Sequence, residues 1–184
     1  MSLKQKITKK REIKGYWIWL RFDNPSDLIC KKLQNEVQKL IKSPDFKNHL
    51  TISGPYPSID LAFQNALSSL SESINLFEIN LDSYGFKNEY FESFFLKVKN
   101  TVFLRDLKNQ IDNILRLKGK KNRFFPHISL AYGEASDEVK SRCINSLPSC
   151  PKSLTVNRIS LIYADERVEK WNIIKEFKLV GNLN

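Results

Sequence analysis

The sequence predicts an α+β fold of two lobes, each a mainly antiparallel sheet with helices on its outer face and a cleft between them. Two observations carry that prediction. The order strand, helix, histidine strand, helix, strand occurs twice along the chain. Spacing is also repeated: 30 residues separate Trp19 from His49, and 32 separate Phe95 from His127. Two units of matching order that cannot each bury a hydrophobic face alone are expected to pack as a duplicated pair. The expected halves cover about 15–81 and 90–163, within a single domain spanning 15–184 and preceded by a basic tail over 1–14.

Each element has a local reason. Gly15 to Phe22 is rich in aromatic and branched residues and stops at a turn signal, which reads as a strand. Asn24-Pro25 then starts a helix, with Asn24 as cap and an apolar face of Ile29, Leu33, Val37, Leu40 and Ile41. The strand around His49 is expected to close at Gly54-Pro55, and a second helix to run from about Ser58 with Ile59, Phe63, Ala66, Leu67 and Leu70 inward. Leu76 to Leu81 and Tyr90 to Lys99 read as strands joined by a turn at Asp82-Ser83-Tyr84-Gly85. A third helix carries Leu104, Leu107, Ile111, Ile114 and Leu115 and ends before Gly119. After the strand around His127, Ser136 caps a fourth helix with Val139, Cys143 and Leu147, stopped by Pro148. Leu154 to Tyr163 and Trp171 to Leu179 close the chain as strands.

Composition narrows the function classes. The apolar run Tyr16 to Leu20 is cut by Arg21, far short of the ~20 residues of a spanning helix. A soluble, cytoplasmic protein without membrane contact is expected, and a monomer. Cys30, Cys143 and Cys150 match neither a redox Cys-x-x-Cys nor a zinc spacing, so free thiols in a reducing compartment and no bound metal are expected. The net charge of +10 concentrates in two places: residues 1–21 carry +6, and Arg116, Lys118, Lys120, Lys121 and Arg123 add +5 with no acid. Residues 1–14 of the first patch read as a solvated, flexible tail. The second runs directly into His127, where it can attract a phosphorylated substrate.

The only two histidines of the chain are His49 and His127, and each is followed two positions later by a hydroxyl residue, Thr51 and Ser129. Ser and Thr fill 22 of 184 positions, so both pairings arising by accident is about a one-in-seventy event. In a strand, i and i+2 share a face, so each stretch presents an imidazole beside a hydroxyl. An imidazole of pKa about 6.5 can accept a proton in one copy and donate it in another, while the hydroxyls bond phosphate oxygens. That suits in-line displacement at phosphorus, with no nucleophile on the protein and no cofactor.

These residues resemble the 2H phosphoesterases, named for two His-x-Thr/Ser motifs in opposite lobes. The resemblance rests on His49-Leu50-Thr51 and His127-Ile128-Ser129 and extends from Tyr16 to Tyr163. Within that superfamily the chain is most similar to the cyclic phosphodiesterases, in which a tyrosine lies five residues beyond the second histidine and a first-strand aromatic faces the cleft. Tyr132 fits the first position, and Trp19, or failing it Trp17, fits the second. The resemblance implies metal-independent hydrolysis of a nucleoside 2',3'-cyclic phosphate, an RNA end, or ADP-ribose 1'',2''-cyclic phosphate, opening the ring to leave a 2'-phosphate (or 1''-phosphate). By analogy His127 activates water and His49 protonates the leaving oxygen. Ser53, two residues beyond Thr51, is expected on the same face, and Lys121 and Arg123 are candidate phosphate contacts. Alternatives are an RNA end-processing enzyme (a 2',5'-phosphodiesterase, a 3'-to-5' exonuclease or a 2',5' ligase-like protein) and a non-catalytic RNA-binding module.

Overall fold

The computed structural model describes residues 13–114 and 124–181. Most of the basic tail, the second basic patch with Lys121 and Arg123, and the expected end of the third helix before Gly119 lie outside the described residues. The elements follow in the order β1 (Gly15–Phe22), α1 (Asn24–Gln38), β2 (Leu50–Tyr56), α2 (Leu61–Glu72), β3 (Phe77–Phe86), β4 (Phe94–Val98), α3 (Val102–Ile114), β5 (His127–Ala131), α4 (Asp137–Ser146), β6 (Ser153–Ala164) and β7 (Asn172–Lys178). Short 3-10 turns cover Tyr90–Glu92 and Val168–Lys170. The α+β class is as expected.

These seven strands pair antiparallel throughout, in the order β1-β2-β5-β4-β3-β6-β7, and β6 also pairs with β1. The two expected sheets are therefore hydrogen-bonded into one. The junction between β2 and β5 is narrow, a single paired position, Leu50 opposite Ile128. Strands also cross between the two halves. β3 leaves the first half to pair with β4, and β6 returns from the second half to lie along all of β1, from Gly15 opposite Ala164 to Phe22 opposite Val156.

Several boundaries differ from the sequence expectation for identifiable reasons. The cap of α1 is Asp23 rather than Asn24, its carboxylate accepting the Ser26 N–H at 2.9 Å. Its buried stripe is Cys30, Leu33, Val37 and Ile41, while Ile29 and Leu40 stay exposed. Asp60 caps α2 through the Phe63 N–H at 2.7 Å, so this helix begins later than Ser58. The expected turn at Asp82–Gly85 is instead absorbed into β3 as a register shift between Leu81 and Tyr84, and the chain reverses at residues 87–93. β2 likewise runs on through Gly54-Pro55 to Tyr56. Ser136 caps α4 as expected, at 3.3 Å from the Val139 N–H.

The helices cover one face of the sheet in a continuous core that includes Leu20, Leu50, Leu96 and Ile128, each fully buried. A smaller apolar cluster of Trp19, Ile162 and Ala164, with Trp17, Trp171 and Ile173 against it, lies apart from that core. Because Leu50 and Ile128 are both fully buried and form the entire β2–β5 pairing, Ile128→Ala should destabilise the protein by about 2–5 kcal/mol. Urea denaturation followed by far-UV circular dichroism measures this, and a loss below about 1 kcal/mol would contradict the seam.

Candidate active site

Strand register arranges the site as two rows of side chains. Trp19 pairs with Thr51 and Leu20 with Leu50, so one further step sets Arg21 opposite His49. The Leu50–Ile128 pair sets His49 beside Ser129 and Thr51 beside His127. On the outer strands, Phe95 pairs with Ser129 and Lys97 with His127, while Trp19 pairs with Ser160 and Arg21 with Arg158. One row reads Lys97, His127, Thr51, Trp19, Ser160, and the next reads Phe95, Ser129, His49, Arg21, Arg158. The row between them, Leu96, Ile128, Leu50, Leu20 and Ile159, is fully buried and points the other way. Both histidines and both hydroxyls thus leave the sheet on one face, related by an approximate two-fold through the Leu50–Ile128 pair.

The local geometry repeats as well. The Nδ1 of His49 meets the Lys47 carbonyl at 2.7 Å, and that of His127 meets the Phe125 carbonyl at 2.9 Å. A carbonyl only accepts, so each ring donates from Nδ1, and in the neutral form Nε2 carries the lone pair. Each ring is also held by aromatics. Trp19 stacks on His49 at 3.6 Å and 10° between planes, and Phe125 on His127 at 5.1 Å and 28°, with Phe95 edge-on to His127 at 5.3 Å.

The two environments differ electrostatically. His49 is only 5 % exposed. Its pKa falls from 6.5 to about 3, chiefly because burial disfavours the charged ring; the Lys47 hydrogen bond opposes this, and Arg21 and His127 reinforce it. Arg21 is itself buried and meets the Glu176 carboxylate at 3.9 Å. Burial and the neighbouring Arg158 lower its pKa.

The remaining expected site residues divide. β5 ends at Ala131, so Tyr132 escapes the strict alternation that would turn it away from His127. Its N–H bonds the Ser43 hydroxyl at 3.0 Å, and Gly133 adopts φ +121°, where a Cβ would come 2.7 Å from the Lys42 carbonyl oxygen. The Tyr132 ring stacks on Phe46 at 4.0 Å, and the Ser129 hydroxyl donates to the Phe91 carbonyl at 3.3 Å. Burial raises the Tyr132 pKa well above the usual phenol range, which keeps it a donor.

One face of the Trp19 ring is covered by His49, and the ring also lines the cavity beside that histidine. Trp17, bonded through its indole N–H to the Ile13 carbonyl at 2.7 Å, packs against Gly54 one pleat further from the histidines. Ser53 is not on the histidine face. A bulge between the Ile18–Ser53 and Trp19–Thr51 pairs turns it toward α3, where its hydroxyl bonds Asp112 and receives the Tyr56 hydroxyl.

Phe46, Trp171, Arg21 and Lys97 were not singled out from sequence. Two of them had a signal, since Trp19-Leu20-Arg21 and Phe95-Leu96-Lys97 are the same aromatic-aliphatic-cation triplet on the strands flanking the two motifs. Trp171 had none. Its ring lies 6.4 Å from His49 and 5.7 Å from Tyr132, reached from the opposite end of the chain. Among the described residues, no three His, Cys, Asp or Glu side chains are grouped to hold a metal ion. No described helix is long and apolar enough to cross a membrane.

Paired His-x-Thr/Ser strands on an antiparallel frame flanked by helices define a 2H phosphoesterase. The model of the 2'-5' RNA ligase superfamily matches residues 15–167, and the chain belongs to that family. A Staphylococcus saprophyticus protein named as a phosphoesterase is 26 % identical over 159 residues, covering 81 % of this chain and 94 % of its own. The cyclic phosphodiesterase of Arabidopsis thaliana is 23 % identical over 178 residues, covering 92 % and 95 %. Among solved structures, Escherichia coli LigT complexed with 3'-AMP shares the fold with a TM-score of 0.61 at 18 % identity, covering 91 % of this chain and 99 % of that one. A protein of Thermus thermophilus, TT0787, matches with 0.59 at 17 %, covering 89 % and 97 %.

A ring whose folded pKa lies below its unfolded value adds stability that is complete above pH 6.5 and is lost as pH falls toward 3. Wild type should therefore lose stability across that window faster than His49→Gln, as read from urea midpoints at several pH values. Parallel slopes in the two proteins would contradict a neutral, buried His49.

Proposed function

We propose that the chain is a metal-independent cyclic phosphodiesterase that opens a nucleoside 2',3'-cyclic phosphate or ADP-ribose 1'',2''-cyclic phosphate to a phosphomonoester. The observation that carries this reading is the two-row register, which sets two imidazoles and two hydroxyls on one face about a common axis. A phosphorus atom on that axis has a Nε2 on each side, and Thr51 and Ser129 reach its non-bridging oxygens. One histidine takes a proton from water as the water oxygen bonds to phosphorus. The other gives a proton to the ribose oxygen as its bond to phosphorus breaks, so the pair ends with its protonation states exchanged.

Family analogy assigns water to His127 and the leaving oxygen to His49. Buried and neutral before substrate binds, His49 then acquires its proton as the anionic phosphate enters, since a negative charge beside the ring offsets the cost of charging it. Tyr132, whose phenol burial keeps protonated, supplies a hydrogen-bond donor near the second motif. Supporting the substrate class are the name of the Arabidopsis relative and the nucleotides bound by LigT, which is solved with 3'-AMP, ATP and NADP+. The superfamily name keeps RNA end processing as the second reading. A purely RNA-binding role leaves the matched Nδ1 anchoring of both rings without purpose.

His49→Ala and His127→Ala should each reduce hydrolysis by about 10²-fold or more with the fold retained by circular dichroism. Normal turnover in either variant would refute the assignment. Hydrolysis of the four nucleoside 2',3'-cyclic phosphates should also persist in EDTA. An RNA bearing a 2',3'-cyclic end, cut where the mononucleotides are not, would favour the second reading.

A further inference from the structure

Next to His49 lies a cavity of about 310 Å³ that neither motif explains. Its walls are Trp19, Phe46 and Trp171, and its polar rim is Asp45, Lys47 and Glu169. We propose that this cavity is the nucleobase subsite and that it favours bases presenting hydrogen-bond donors, guanine first and uracil last. The proposal builds on the cyclic-phosphate reading and names which substrates that site prefers.

Position, size and chemistry agree. Phe46 and Trp171 each stand 6.4 Å from the His49 ring and Trp19 lies against it, so a group in the cavity is adjacent to whatever His49 acts on. The volume is at the lower end of small-molecule sites, enough for one planar ring system. Aromatic walls bind a base through its face and accept any of the four. Trp171 is held ready for this, with its indole N–H donated to the Asp165 carbonyl at 3.0 Å and its ring stacked on Phe91 at 6.0 Å.

Selection falls to the rim. Carboxylates only accept hydrogen bonds. Two carboxylates line the rim: Asp45 shares one oxygen with Lys31 at 3.5 Å and stays a secondary acceptor, Glu169 is the one assigned to the base, and Lys47 is the rim's cation. Guanine offers N1–H and an amino group side by side, matching the two oxygens of one carboxylate, and adenine and cytosine each offer an amino group. Uracil has a single N–H between two carbonyls, and those carbonyls would face the carboxylate.

The test measures binding of the four nucleoside 2'-phosphates by calorimetry alongside kcat/KM for the four 2',3'-cyclic phosphates. Guanine should lead uracil by about 5–10-fold, the scale of one partly exposed hydrogen bond to a charged group. Glu169→Gln should erase most of that lead. Trp171→Ala should weaken all four bases, and Trp171→Phe should recover most of the loss. Equal binding of the four bases, or an unchanged lead in Glu169→Gln, overturns the subsite, even if every cyclic phosphate is hydrolysed. Should the four 2'-phosphates bind in the expected order while none of the cyclic forms is hydrolysed, the subsite stands and the catalytic reading falls. Glu169 is exposed, so its variant reports even if a Trp171 variant does not fold.

Discussion

The arrangement of the site depends on one backbone contact, the pairing of Leu50 with Ile128. On either side of it the sheet consists of longer ladders with many paired positions, whereas here two strands meet over one residue each. Because side chains alternate along a strand, fixing those two aliphatic residues inward fixes all four motif side chains outward. A slip of one residue in either strand would send its histidine and hydroxyl into the helix-covered core. The complete burial of both residues makes that slip costly, so packing on one face fixes the placement of the histidines and hydroxyls on the other.

Much of this was legible from the chain. The four helices and seven strands among the described residues fall in the segments that periodicity marks, with several ends shifted by a few residues, and the His-x-Thr/Ser spacing selects four residues that share one face of the sheet. What was not legible has a common physical origin. Register shifts are invisible in a single strand, and a bulge in β2 is why Ser53, correct by simple alternation, faces Asp112 instead. The turn chemistry of Asp82 to Gly85 is genuine, yet pairing with β4 overrides it. Tyr132 shows the reverse, since alternation argued against it and the early end of β5 delivers it to the site. Trp171 could not be foreseen, because it reaches His49 only through the crossing of β6 back to β1.

The near-symmetry of the two motifs is broken by their surroundings. Both histidines have an aromatic and a cation on the neighbouring strand, but Arg21 is buried beside His49, whereas Lys97 is partly exposed beside His127. Equivalent positions in both halves thus have unequal dielectric environments. A pair of identical groups needs such a difference before one can give a proton while the other takes it.

The exchange of strands between the halves also bears on how the protein is made. One side of β1, near the start, remains a bare edge until β6 has been synthesised, about 140 residues later. An unpaired, aromatic-rich edge is a template for unwanted association, and contacts of such long range form slowly. Ribosome-bound chains therefore hold the first histidine strand in place without its outer support. Support for the first histidine strand from both sides of β1 thus waits on β6, however early its own residues are made.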